Sequence, residues 1–274
     1  MTGGTSRPIG VFDSGIGGLT VLRALMQELP RERFTYLGDT ARLPYGTKTA
    51  ESVVRYSVQA AEALMDVGVK CLVVACNTAS SVGLAAIRER VGGMPVIGVI
   101  EPGAQAACAA TRTGHIAVIG TERTMREGAY QEAIIGCRRN ARVSAVATQL
   151  FVALAEEGLC EGPIVESVAH HYLDPLFGAG SASPPDTLVL GCTHFPVLAR
   201  AIRAVIGERI GIVDSAQTTA RAVRAQLLAA EALDRDGPGG VEFVATDGPE
   251  RFARVGSRFL GREIAAEEID LVDL

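Results

Sequence analysis

The sequence predicts an α/β protein: two similar doubly wound, mostly parallel-sheet halves that face each other across a cleft. Three observations carry that prediction. Short β-branched runs alternate with helix-length amphipathic segments along nearly the whole chain. The predicted strands are continuously apolar rather than alternating, as strands covered on both faces are. Finally, "LVVACNTAS" at 72–80 has an echo in "LVLGCTHFP" at 188–196, and "IGVFDSGIG" at 9–17 has a weaker one in "IAVIGTERT" at 116–124. Two related pairs in the same order point to two similar halves, each offering one cysteine at the C-terminal end of a strand. Ligands of open α/β sheets bind at such ends.

Taken in order, "IGVFD" (9–13) is the first strand, followed by a glycine loop and a helix over 17–28. "RFTYLG" (33–38) is the second strand. "LPYGTKT" (43–49) then turns on Pro44 and Gly46, and Thr49 caps a helix over 50–67. "CLVVAC" (71–76) leads to a helix over 79–91, and "PVIGV" (95–99) to one over 101–111. The second half repeats the alternation: strands 115–120, 142–147 and 187–192, with helices over 124–135, 150–157, 163–177 and 196–206. A strand at 209–214, a helix over 216–232, a strand at 241–246 and a helix over 248–259 close the chain. Gly/Pro punctuation at 98–103 suits a crossing between halves, and 205–211 suits the return. The first domain is therefore expected to comprise 1–99 and 209–274, and the second 100–208. Surface loops are expected at 178–185 and 234–240.

Composition narrows the function. With 48% apolar and 21% charged residues over 274 positions, the chain has a soluble globular balance and enough length for a large core. The net charge of −5 and the lack of a Lys/Arg cluster argue against direct nucleic-acid binding. No apolar run is long enough to span a bilayer, and "MTGGTSRPIG" lacks a signal peptide's apolar core, so a cytoplasmic location is expected and no membrane partner. The six cysteines are scattered without a C-x-x-C pair, which disfavours disulfides and a structural zinc; most should be small buried hydrophobes.

Candidate chemistry centres on four strand ends. "DSGIGGLTV" (13–21) fits neither a dinucleotide fingerprint, because Thr20 stands where the third glycine belongs, nor a P-loop. Its readings are a helix cap by Asp13 or Ser14, or a close backbone approach to an anion. Cys76 and Cys192 hold equivalent places in the repeat, and polar residues follow each at a helix N-terminus, a location that lowers a thiol pKa. Cys71 opens its strand without such company. Asp13 and His194 give each thiol a proton-handling neighbour. No metal-ligand spacing, G-x-S-x-G or H-E-x-x-H occurs. Two facing thiols suit removal of a proton from one face of a carbon and its return to the other.

On these residues the chain resembles the cofactor-independent glutamate racemases of the aspartate/glutamate racemase superfamily. The runs that carry the likeness are "IGVFDSGIGGLTVLRAL" (9–25), "YLGDTARLPYGTKT" (36–49), "LVVACNTASS" (72–81), "VIGVIEPG" (96–103), "IAVIGTERTMREGAY" (116–130), "LFVALAEEG" (150–158), "LVLGCTHFP" (188–196) and "IVDSA" (212–216). The resemblance implies a pseudo-twofold relation between the domains and an active site in the cleft between them. Neither a cofactor nor a metal is expected. Cys76 would deprotonate D-glutamate and Cys192 L-glutamate, assisted by Asp13 and His194 respectively. Asp13, Ser14, Pro44, Tyr45, Gly46, Asn77, Thr78, Thr193 and His194 would bind substrate, with Thr121 and Thr124 adding polar contacts. Glu156 matches the family's glutamate, although Ala153 and Ala155 replace the proline and valine usual around it, and Thr148-Gln149 stands where Cys-Pro is common. The expected partners are glutamate and a second copy of the chain in a homodimer, and the expected role is supply of D-glutamate for peptidoglycan. Two alternatives stand beside this one: another racemase of the superfamily, of aspartate or hydantoin type, and an added binding role such as inhibition of DNA gyrase. His194, rather than glutamate, after Cys192-Thr193 disfavours an aspartate racemase.

Overall fold

The computed structural model describes residues 5–181 and 183–274. Residues 1–4 of the N-terminal segment, and Ala182 in the loop expected at 178–185, lie outside the described residues. The chain opens with β1 (Ile9–Asp13), α1 (Leu19–Glu28), β2 (Arg33–Gly38), α2 (Ala50–Val67) and β3 (Cys71–Val74). Then come α3 (Asn77–Val82), α4 (Leu84–Val91), β4 (Val96–Gly98) and α5 (Ile100–Ala110). The second half follows with β5 (His115–Gly120), α6 (Glu122–Glu127), α7 (Ala129–Cys137), β6 (Arg142–Ala147), α8 (Leu150–Glu157) and α9 (Pro163–Phe177). The last elements are β7 (Thr187–Gly191), α10 (Ala199–Ile206), β8 (Gly211–Asp214), α11 (Ser215–Ala229), β9 (Gly240–Ala245), α12 (Pro249–Leu260) and β10 (Ile269–Leu271).

Two parallel sheets result. One runs β10-β9-β2-β1-β3-β4, the other β6-β5-β7-β8. The internal order β2-β1-β3-β4 is therefore repeated as β6-β5-β7-β8, and the first sheet carries β9 and β10 as an addition at one edge. The central pairs match as well: β1 lies beside β3 as β5 lies beside β7. The four strand ends singled out in the sequence thus occupy corresponding places in two copies of one topology.

Strand pairing corrects the expected return crossing. β8 pairs with β7, so the segment at 209–214, assigned by sequence to the first domain, extends the second sheet. The chain leaves that sheet after Asp214, and α11 packs against both α1 of the first half and α5 of the second. Gly207 and Gly211 punctuate the start of β8, whereas no Gly or Pro marks its end at Asp214-Ser215, which is why sequence placed the crossing one strand early. Two expected helices are also broken. α3 and α4 divide at Gly83, and α6 and α7 divide at Gly128, whose φ of 73° is left-handed and stops an α-helix. β10 was not anticipated, because three residues with one buried position leave almost no pattern to read.

One apolar cluster joins the halves. It holds Ile9, Val11, Leu22 and Leu25 of the first half together with Val118, Val189, Leu198 and Val223, all fully buried. A second cluster, with Phe12, Val53, Leu64 and Leu72, fills the other face of the first sheet. Among the described residues no helix is long and apolar enough to cross a membrane. The cysteines divide evenly: Cys71, Cys76 and Cys192 are buried, Cys108 and Cys160 half-buried, and Cys137 exposed. The expectation that most are buried is corrected by the outer cysteines, which lie on helices or loops rather than strands.

Because Leu22 is fully enclosed in the shared cluster, Leu22→Ala is expected to lower unfolding free energy by about 2–5 kcal/mol. A urea titration followed by circular dichroism measures it.

Candidate active site

The C-terminal ends of β1, β3, β5 and β7 converge on a pocket of about 330 Å³ between the halves. From the first half, Ser14 follows β1, and Cys76, Asn77 and Thr78 follow β3. Pro44, Tyr45 and Gly46 come from the loop after β2, which is wound into two short 3₁₀ turns, Thr40–Arg42 and Tyr45–Thr47. From the second half, Thr121 follows β5, and Cys192, Thr193 and His194 follow β7. Gln149 and Val152, at the start of α8, complete the wall. Asp13, Thr124 and Glu156 stand behind this lining. A roomier cavity of about 600 Å³, beside α1 and α11, contains neither thiol.

Cys76 occupies the N-cap of α3. Its sulfur accepts the Ala79 N–H at 3.4 Å, and its thiol donates to Ser14 Oγ at 3.4 Å. The helix start was expected to lower the thiol pKa, but the opposite holds: burial, and after it the Asp13 carboxylate, push it up to about 12. A six-residue helix end and two weak sulfur hydrogen bonds do not offset the loss of water.

Asp13 is fully buried at the end of β1. One of its oxygens accepts the Gly15 N–H at 3.0 Å, and the other has no hydrogen-bond partner. Burial raises its pKa, against the opposing pull of His194 and of the Gly18, Gly15 and Ser14 N–H groups. Asp13 therefore organises the glycine loop rather than the first turn of α1, whose N-cap is Gly18 without a side-chain bond. That loop packs tightly against the opposite half. A Cβ on Gly17 would come within 2.4 Å of His194 Nδ1 and 2.5 Å of Thr193 Oγ1. Thr20 Oγ1 also donates to the Thr193 carbonyl at 2.8 Å.

Three threonines tie the halves together at the pocket floor. Thr78 Oγ1 lies 3.0 Å from Thr121 Oγ1 and 3.2 Å from Thr124 Oγ1, and the latter two are 3.0 Å apart. Asn77 accepts from the Tyr130 hydroxyl at 2.7 Å, which leaves its buried amide NH₂ without a partner in the pocket wall. A donor held dry in this way is ready to bind a carboxylate. Tyr45 donates its hydroxyl to Asp39, which also accepts from Thr246 at 3.0 Å and pairs with Arg42 at 2.7 Å.

Cys192 has a different environment. Its sulfur is 3.7 Å from His194 Nδ1, and His194 Nε2 is 3.0 Å from Glu156 Oε1. Burial by itself would lower the imidazole pKa; the hydrogen bonds to Cys192 and Glu156, with their charges, lift it to about 10. Glu156 moves the other way. Its partial burial raises its pKa, yet the His194 bond, the His194 charge and Arg251 outweigh that and hold it low. Among the described residues no cluster of His, Cys, Asp or Glu could hold a metal ion.

Asp39, Tyr130, Gln149, Val152 and Arg251 were not singled out in the sequence. Asp39 had a signal, since "YLGD" ends a strand on an acid as "GVFD" does. The other four act across distances that local pattern does not encode.

The profile of the Asp/Glu/Hydantoin racemase family matches residues 9–223. A glutamate racemase from Geobacter metallireducens is 48% identical over 259 residues, covering 94% of each chain. Two solved structures are similar along 98% of both chains. One is a glutamate racemase isoform from Bacillus anthracis, with a TM-score of 0.92 and 36% identity. The other is a glutamate racemase from Francisella tularensis in complex with D-glutamate, with a TM-score of 0.90 and 34% identity.

The His194 environment makes a direct prediction. Its ring should titrate near pH 10 rather than near the ordinary 6.5, as followed by the NMR shift of its Cε1 proton. Glu156→Gln should bring the titration down, because it removes the anion that favours imidazolium. An unchanged midpoint in that variant would contradict the pairing.

Proposed function

Because the chain belongs to the Asp/Glu/Hydantoin racemase family, we propose that it interconverts L- and D-glutamate by two-thiol proton transfer at Cα, without a cofactor, and so supplies D-glutamate for peptidoglycan. The observation that carries this reading is the pair of buried cysteines, brought from equivalent strand ends of two matching sheets to the walls of one pocket. The glutamate racemases at 34–48% identity support glutamate as the substrate, as does His194 after Cys192-Thr193.

The chemistry is demanding. The Cα–H of an amino acid is a very weak acid, and a second negative charge develops beside the carboxylate as the proton leaves. On this reading Cys192 as thiolate takes the proton from L-glutamate, and Cys76 as thiol delivers one to the opposite face; D-glutamate reacts by the reverse route. Each turnover leaves the two thiols with exchanged protonation states. The Asn77 amide, the Ser14, Thr78, Thr121 and Thr193 hydroxyls and nearby N–H groups are donors already oriented, so little reorganisation accompanies charge development. His194 as imidazolium stabilises a thiolate on Cys192. Asp13 acts as a buried anion near Cys76, which makes that thiol hold its proton tightly and makes its thiolate a strong base. Exclusion of bulk water from a narrow pocket strengthens all of these interactions.

Incubation with either enantiomer in deuterium oxide, with no cofactor added, should exchange the Cα hydrogen and drive the sample to a racemate. Cys76→Ser and Cys192→Ser should each lower racemisation by at least about 100-fold, the scale of losing a positioned acid or base. Full L-to-D turnover in either single variant would rule out the two-thiol reaction.

A further inference from the structure

The hydrogen-bond chain behind Cys192 does not stop at Glu156. The carboxylate splits its two oxygens: one faces His194 Nε2 at 3.0 Å, and the other accepts from Arg251 at 2.6 Å. Arg251 lies in the first turns of α12, a helix packed on α1 of the half that carries Cys76. Two turns further along α12, Arg258 donates to the carbonyl oxygens of Glu156 at 3.2 Å and Ala155 at 3.4 Å. Two arginines of one helix therefore grip the C-terminal turn of α8, which belongs to the half that carries Cys192.

The grip answers an electrostatic problem. Glu156 is the penultimate residue of α8, where the negative end of the helix dipole and the unsatisfied carbonyls oppose a carboxylate. Left alone, that side chain would swing into water. Arg251 balances the charge from the outside while His194 draws it inward, so the carboxylate is fixed from both sides. The Glu156 side chain is only 13% exposed, against 49% for Arg251, which puts the bridge between solvent and the buried imidazole.

We propose that Arg251 is a positioning residue for the Cys192 half of the reaction: it fixes Glu156, and through Glu156 it fixes the His194 ring beside the Cys192 sulfur. Among the described residues no such ion-pair chain is hydrogen-bonded to Cys76, whose partners are Ser14 and the Ala79 N–H, with the buried Asp13 nearby. Arg251 should therefore act on one of the two proton transfers and not on the other. The inference rests on the two-thiol reading above.

Because the reaction's equilibrium constant is unity, kcat/KM must fall equally in both directions in any variant, so rates alone do not locate the effect. Primary isotope effects do. Arg251→Met is expected to lower kcat/KM by about tenfold, the scale of losing one partly exposed charged hydrogen bond. Its isotope effect should rise with L-glutamate deuterated at Cα, where Cys192 is the base. It should fall toward one with deuterated D-glutamate, where Cys76 is the base. Arg251→Lys keeps the cation and should return both isotope effects most of the way to those of the unsubstituted enzyme. A loss of rate with both isotope effects unchanged means a structural role only and overturns the proposal, as does a rise confined to D-glutamate. Absence of any Cα exchange in the unsubstituted enzyme would instead remove the two-thiol reading itself.

Discussion

A parallel sheet offers its chemistry at one end only. Side chains that follow the C-terminal ends of its strands all approach a ligand from one side. Proton transfer to opposite faces of a tetrahedral carbon needs carriers on both sides, so no single sheet of this kind can supply it. On the two-thiol reading, the chain meets the constraint with a second copy of the β2-β1-β3-β4 order, turned to face the first. The rest of the architecture serves that apposition. A single apolar cluster spans the halves, α11 packs between α1 and α5, and the Thr78, Thr121 and Thr124 hydroxyls join across the pocket floor. Gly17 belongs to the same logic, because any side chain there would push His194 and Thr193 away.

The two thiols are equivalent in topology but not in surroundings. Cys76 sits with an acid that shares its burial, and both hold their protons more tightly than in water. Cys192 sits with an imidazole whose proton is held by a carboxylate and, beyond it, an arginine. A like-charged neighbour therefore stands beside one thiol and a cation beside the other.

Much of this was legible in sequence because it is local. All nine strands expected from apolar runs are present, and α2, α8 and α9 have the bounds read from their patterns. Cys76 and Cys192 stood out through the internal echo, since strand ends recur when a topology recurs, whereas Asn77, Thr78 and Thr193 were named through the family resemblance. What escaped depends on tertiary arrangement. β8 could not be assigned to a sheet from its own residues, and the breaks at Gly83 and Gly128 lie inside segments whose periodicity continues across them. Tyr130, 53 positions from Asn77, and Arg251, 95 positions from Glu156, have no local mark of their tasks. The direction of the Cys76 shift escaped for a related reason: a helix N-terminus is visible in sequence, whereas the desolvation that outweighs it is not.

That desolvation has a consequence for the reaction. A thiol with an ordinary pKa is a poor base toward a carbon acid, and the transfer is steeply uphill. Burial raises the affinity of Cys76 for a proton, so once ionised it closes part of the gap to Cα. The same burial makes its thiolate rare in the empty enzyme. In the two-thiol scheme the difficulty is lifted by the substrate itself. Reaction of L-glutamate leaves Cys192 protonated and Cys76 ionised, so the costly thiolate is produced by turnover rather than by the pH of the solution. The proton lost by Cys76 is then regained when D-glutamate reacts in reverse or by exchange with water. Exchange requires water to reach the pocket, which is enclosed by the two halves that the threonine contacts and α12 hold together.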